Sequence, residues 1–141
     1  MSVLEEVATY LSSLGTVGTY KGAGVSGGTL FVPELPATPN ACGAVKEAGG
    51  SAPDRGFGSV VPRFENAAIQ LLFRGEPYDY ATPREKARLA WLAMLAILPD
   101  QELSGTTYVW IRALQQPFPL KKDDLHRHYV ACNYLIQKEP S

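Results

Sequence analysis

The chain has 141 residues, 45% hydrophobic and 19% charged, with a formal net charge of −1. That length predicts one domain spanning residues 1–141 around one core, and the near-neutral charge leaves no electrostatic footprint for nucleic acid or an anionic membrane. The longest apolar run, Leu89 to Leu98, is far shorter than the roughly 20 residues of a membrane span, and no basic segment followed by a hydrophobic one opens the chain. The expectation is a protein that stays where it is made, with no membrane partner.

Val3, Leu4, Val7, Leu11 and Leu14 recur at helical spacing, with Ser2 and Glu5 placed as a capping box and Gly15 as a stop, so a helix is expected over 3–14. Residues 15–28 hold six glycines and read as loop, with room for a short extended piece at Val17 to Tyr20. Thr29 to Val32 reads as a strand, Leu35 to Pro39 as a stiff connector, Ala41 to Ala48 as a modest strand, and Gly49 to Gly58 as a second glycine-rich loop.

Glu65 to Arg74 alternates cleanly: Ala67, Ile69, Leu71 and Phe73 fall on one face, with Asn66, Gln70 and Arg74 on the other. Arg74 is expected as a strand-end charge at the surface. Gly75 to Tyr80 breaks the strand. Thr82-Pro83-Arg84-Glu85 then reads as a helix start, Thr82 and Glu85 forming a capping box around a first-turn proline. Within this helix Ala87, Trp91, Met94, Leu95 and Leu98 make the expected core stripe, while Leu89, Leu92, Ala93 and Ala96 occupy the opposite side.

Residues 99–105 read as a connector. Thr106 to Gln115 is expected as a strand, Val109 and Ile111 facing inward, Tyr108, Trp110 and Arg112 the other way. Pro117 to Pro119 interrupts it, the charged segment Leu120 to Leu125 reads as a hairpin tip, and His128 to Gln137 returns as the last strand with Val130, Cys132, Tyr134 and Ile136 on one face. The order predicts an α+β fold, a single mixed and largely antiparallel sheet with an N-terminal helix and one long central helix packed on it.

Motifs of chemistry are sparse. Gly22 to Gly27 fits a dinucleotide glycine pattern and Gly24 to Gly28 a serine nucleophile elbow, but each requires a strand before and a helix after, and a loop or strand follows here. His126 and His128, with Asp123 and Asp124, have the spacing of metal ligands, yet no further histidine exists to complete a set, and a solvated hairpin explains them better. Cys42 and Cys132 stand far apart and read as two buried thiols. No nucleophile, base and oxyanion hole can be assembled; no catalytic residue, cofactor site or metal site is expected, and the protein reads as a non-enzyme. The outer helix face, with Leu89, Leu92 and Ala96, and the strand aromatics Tyr108 and Trp110 offer more apolar surface than one small domain hides, which points to a subunit of an oligomer.

Residues 35–41 before a strand, a strand ending in Arg74-Gly75, the turn with Tyr78, the long apolar helix, the strand from Tyr108 to Gln116, and Pro117 with Leu120, Asp123, His126 and Arg127 before a last strand form a pattern. Over roughly residues 3–138 it resembles the minor capsid, or tail terminator, proteins of long-tailed bacteriophages and gene-transfer particles. The resemblance implies a non-enzymatic virion protein of the neck, made in the host cytoplasm. It implies a homo-oligomeric ring, typically a hexamer, with a tail tube protein on one side and a connector or stopper protein on the other, and DNA passing through the lumen without specific binding. On that reading the 15–28, 49–58 and 117–126 loops are assembly contacts, the last presenting Phe118, Lys121, Lys122, Asp123, His126 and Arg127. The chain departs from the pattern in the glycine-rich loop 49–58 and in Pro119. A different neck component, a stopper or adaptor ring, is the nearest alternative. A small-molecule-binding α+β domain is more remote, and so is a host-side structural or immunity protein.

Overall fold

The computed structural model describes residues 2–48, 54–55 and 62–140. Two helices, α1 (Val3–Leu14) and α2 (Ala81–Leu95), accompany eight strands: β1 (Leu30–Phe31), β2 (Cys42–Glu47), β3 (Asp54–Arg55), β4 (Pro62–Pro77), β5 (Gln101–Leu103), β6 (Thr106–Ala113), β7 (Phe118–Leu120) and β8 (Arg127–Lys138). The sheet runs β1-β2-β4-β8-β6-β5, with β3 added to β4 and β7 to β8. β1 lies parallel to β2 and every other pairing is antiparallel, which makes the fold α+β with a mixed, largely antiparallel sheet, as the pattern predicted.

The centre is the long pairing of β4 with β8, in register from Glu65 opposite Lys138 to Arg74 opposite Tyr129. Alternation sorts this pair into two faces. Ile69, Leu71 and Phe73 sit opposite Tyr134, Cys132 and Val130, all buried and all part of the core that the helices cover. On the reverse face polar residues pair across the strands, Gln70 Nε2 donating to Asn133 Oδ1 at 3.1 Å and Gln137 Nε2 to Asn66 Oδ1 at 3.2 Å. Gly43 of β2 is opposite Phe73, and a Cβ there would come within 2.6 Å of the phenyl ring, so the strand needs glycine to let the ring through.

Helix α1 carries the expected capping box between Ser2 and Glu5, with Gly15 as its left-handed C-cap. Its Leu4, Val7, Ala8 and Leu11 are buried against the sheet, and Tyr10 Oη donates to Ala93 O at 2.9 Å, tying α1 to α2.

Several expectations are corrected. Helix α2 does not start with a Thr82–Glu85 box. Its N-cap is Tyr80, whose side chain makes no capping bond, and the carboxylate of Asp79 takes the role by accepting from Thr82 N at 3.2 Å. Glu85 pairs with Arg88 instead. Helix α2 also stops at Leu95, and its buried residues are Pro83, Ala87, Ala90 and Met94, with Ile97 buried just beyond. Leu95 and Leu98, expected inside, are therefore exposed. The connector at 99–105 contains β5, joined to β6 by a turn in which Ser104 and Gly105 both have positive φ (51° and 83°), the combination a two-residue hairpin turn demands. Part of the loop 49–58 lies outside the described residues, while Asp54–Arg55 forms β3 on β4.

The inward and outward faces of β6 exchange part-way along. Opposite β8, Tyr108 pairs with Lys138 and Trp110 with Gln137, so one extra residue is taken up as a β-bulge. Below it Ile111 and Ala113 face the core side, as expected of Ile111; above it the inward residue is Tyr108. Tyr108 is wholly buried, not a surface aromatic.

Candidate assembly surface

Two regions were singled out by the sequence: the outer face of α2 with neighbouring aromatics, and the segment from Phe118 to Arg127. They have different characters.

On α2 the side chains of Leu92 and Leu95 are 43% and 48% exposed, and Leu98, three residues past the end of the helix, is 69% exposed. Leu92 and Leu95 are one turn apart and so share a face; Ala96 is exposed beside them, whereas Leu89 is half-buried against the core. Three large exposed apolar side chains in seven positions, with no charged residue among 89–99, are the kind of feature that marks contact surfaces. Trp110 is half-buried, with the guanidinium of Arg112 5.0 Å from its ring centroid. Tyr108 leaves the set altogether: its hydroxyl donates to Glu6 Oε1 at 2.9 Å in the chain's own core. Burial and the adjacent Glu6 carboxylate push this phenol far above its ordinary value of 10.0.

The segment 118–127 is tied down from within. Asp123 Oδ1 accepts from the backbone NH groups of Leu125 and Arg127, both at 3.0 Å, and its Oδ2 accepts from Arg127 Nε at 2.8 Å and Tyr129 Oη at 2.9 Å. Partial desolvation would raise the Asp123 carboxyl, but these four donors outweigh it and hold the group well below the usual carboxylate range. Arg127 is buried and its Nη1 donates to Ala37 O and Asn40 Oδ1, so Asp123 and Arg127 hold the loop closed. Phe118 is half-buried in β7, while Lys121, Lys122 and His126 are exposed. His126, at φ 61°, stacks on Tyr78, at φ 66° and 73% exposed, with ring centroids 4.7 Å apart.

Arg74 is likewise buried, at 4% exposure, not a surface charge. Its Nε donates to Asn40 O, and its Nη2 to Pro36 O, Pro39 O and, at 3.3 Å, Cys42 Sγ. The alternation of β4 placed Arg74 off the core face correctly. Nothing in the strand pattern told that the proline-rich connector would fold over that end of the sheet and bury it; the concentration of carbonyls without NH partners that three prolines create was the available signal.

Chemistry of the catalytic kind is not assembled in this surface. Burial pushes the thiols of Cys42 and Cys132 up, away from nucleophilic thiolate. Among the described residues no three His, Cys, Asp or Glu side chains cluster as metal ligands, and no helix is long and apolar enough to cross a membrane. The glycine motif at 22–28 continues into β1, without the helix either function requires.

An α+β domain with a mixed sheet, two covering helices and an exposed apolar helix face is the class that fold and surface define. Its fold is shared with a chain of the virion of a native gene transfer agent particle, at a TM-score of 0.63 and 11% sequence identity, over 99% of this chain and 96% of that one. No protein-family model and no curated protein sequence matches it.

Proposed function

We propose that the protein is a structural component of a phage-like virion: a non-enzymatic tail terminator at the neck that assembles side by side into a ring, typically of six subunits. The ring caps a tail tube protein, meets a connector or stopper protein on its other side, and lets DNA pass through. The observation that carries this reading is the apolar outer side at the end of α2, two exposed leucines on a helix whose inner face already fills the core and a third just past its end. The near end-to-end likeness to a chain from a gene transfer agent virion supports it. A formal charge of −1 suits a lumen through which DNA slides, since phosphate contacts would hold it back.

In this reading Leu92, Leu95 and Ala96 meet the neighbouring subunit with Leu89 and Trp110 at the margin, and the Phe118 to Arg127 segment docks above or below. Light scattering is expected to give an oligomeric mass for the wild type at micromolar concentration. Leu92→Glu should shift it to the monomer with the circular dichroism spectrum unchanged. A monomeric wild type would remove the proposal. Outright unfolding of the variant would mean that Leu92 belongs to the subunit's own core.

A further inference from the structure

Beneath the start of α2 lies a cavity of about 200 Å³, bounded by α2, the segments at Val17 and Thr29, the start of β2 and the β4 residues Phe73 and Arg74. Its charged lining is entirely cationic: Arg74 and Lys86, with no acidic side chain among the residues around it. The hydroxyl residues Thr29 and Thr82 lie on its wall, and Val17, Phe73 and Pro83 supply apolar surface.

Arg74 is the unusual member. It is 96% removed from solvent, yet no carboxylate among the described residues lies within ion-pair distance of it. Its charge rests on backbone carbonyls and the Cys42 sulfur, all reached through Nε and Nη2, and Nη1 takes no part in those bonds. Buried charges are normally matched by an opposite charge, because the desolvation cost otherwise stands uncompensated. Its neighbour Arg127 has Asp123; Arg74 has no such partner. Lys86 Nζ uses one donor on Thr16 O at 2.9 Å, leaving two of its three. The carboxylates near the start of α2 are engaged elsewhere, Asp79 by Thr82 N and Glu85 by Arg88.

We propose that this cavity is a binding site for a small monocarboxylate with a short apolar body, its carboxylate set between Arg74 and Lys86 and its carbon chain against Phe73, Val17 and Pro83. At about 30 Å³ per water-sized group the volume holds about six or seven non-hydrogen atoms, the size of butyrate. An apolar wall with a few convergent polar groups is the usual form of a small-ligand site. The site goes beyond the assembly role and stands whether or not the subunit forms rings.

The test is a titration of the full chain with sodium butyrate, followed by amide NMR at constant ionic strength. Saturable shifts are expected at Val17, Thr29, Cys42, Thr82 and Lys86, with none from butyramide, which has the same shape without the charge. Lys86→Met should weaken binding about tenfold, the loss of one charge-assisted bond, and Ala41→Leu, which adds bulk to the cavity wall, should abolish it. Shifts that never saturate, an equal response to butyramide, or wild-type affinity in Lys86→Met would overturn the proposal. The last of these decides even if Ala41→Leu does not fold.

Discussion

Arg74 and Arg127 bring two guanidinium groups under the proline-rich connector, and between them they take up the carbonyls of Pro36, Ala37, Pro39 and Asn40. A lysine could not do this, because the fork of five N–H donors is what reaches several acceptors at once. Arg74→Met should leave the part-buried carbonyls of Pro36, Pro39 and Asn40 without these donors and cost about 1 kcal/mol or more, and Arg74→Lys should recover little. Urea unfolding midpoints check both; a midpoint for Arg74→Met equal to wild type would mean the connector holds itself. Asp123 predicts a pH dependence at the same end. Its folded carboxyl lies below its ordinary 3.8, so its contribution is complete above about pH 4 and is lost as pH falls from there towards the folded value. The difference in stability between wild type and Asp123→Asn should therefore be constant from neutrality to about pH 5 and shrink below pH 4; a difference that grows on acidification would contradict the assignment.

At the scale of elements, what was legible depended on whether the signal was local. Helix α1 was readable end to end because Ser2, Glu5, Gly15 and the apolar spacing all lie within it. Strands β4 and β8 were readable because strict alternation over many residues admits few other conformations. The parts that were not legible are set by partners. The bulge in β6 is visible only once β8 is alongside, and it alone decides that Tyr108 goes inward to Glu6. Strand β5 is three residues held by pairing to β6. The start of α2 read as a Thr82 cap, but the helix begins two residues earlier, with Tyr80 at the N-cap position, and the carboxylate of Asp79 accepts from Thr82 N instead. Asp79→Ala should accordingly lower the melting temperature more than Glu85→Ala, which removes only an exposed pair with Arg88. The reverse order would restore the capping box.

For the whole molecule, the separation of charge from apolar surface determines how any assembly should respond to salt. Two of the buried cations are paired within the chain, Arg127 with Asp123 and Lys138 with Glu65 at 3.1 Å. The exposed residues from Leu92 to Leu98, at the end of α2 and just past it, contribute only apolar side chains. A ring closed through that stretch is held by removal of apolar area from water, which is not screened, whereas a ring closed through Lys121, Lys122 and acidic partners would be. Raising sodium chloride from about 0.1 M to about 1 M shortens the screening length from about 10 Å to about 3 Å. The oligomeric fraction measured by sedimentation should stay constant or rise over that range. A fall would transfer the principal contact from the apolar end of α2 to the charged segment around Lys121 and Lys122, and would leave these leucines to face a partner other than a second copy of the chain.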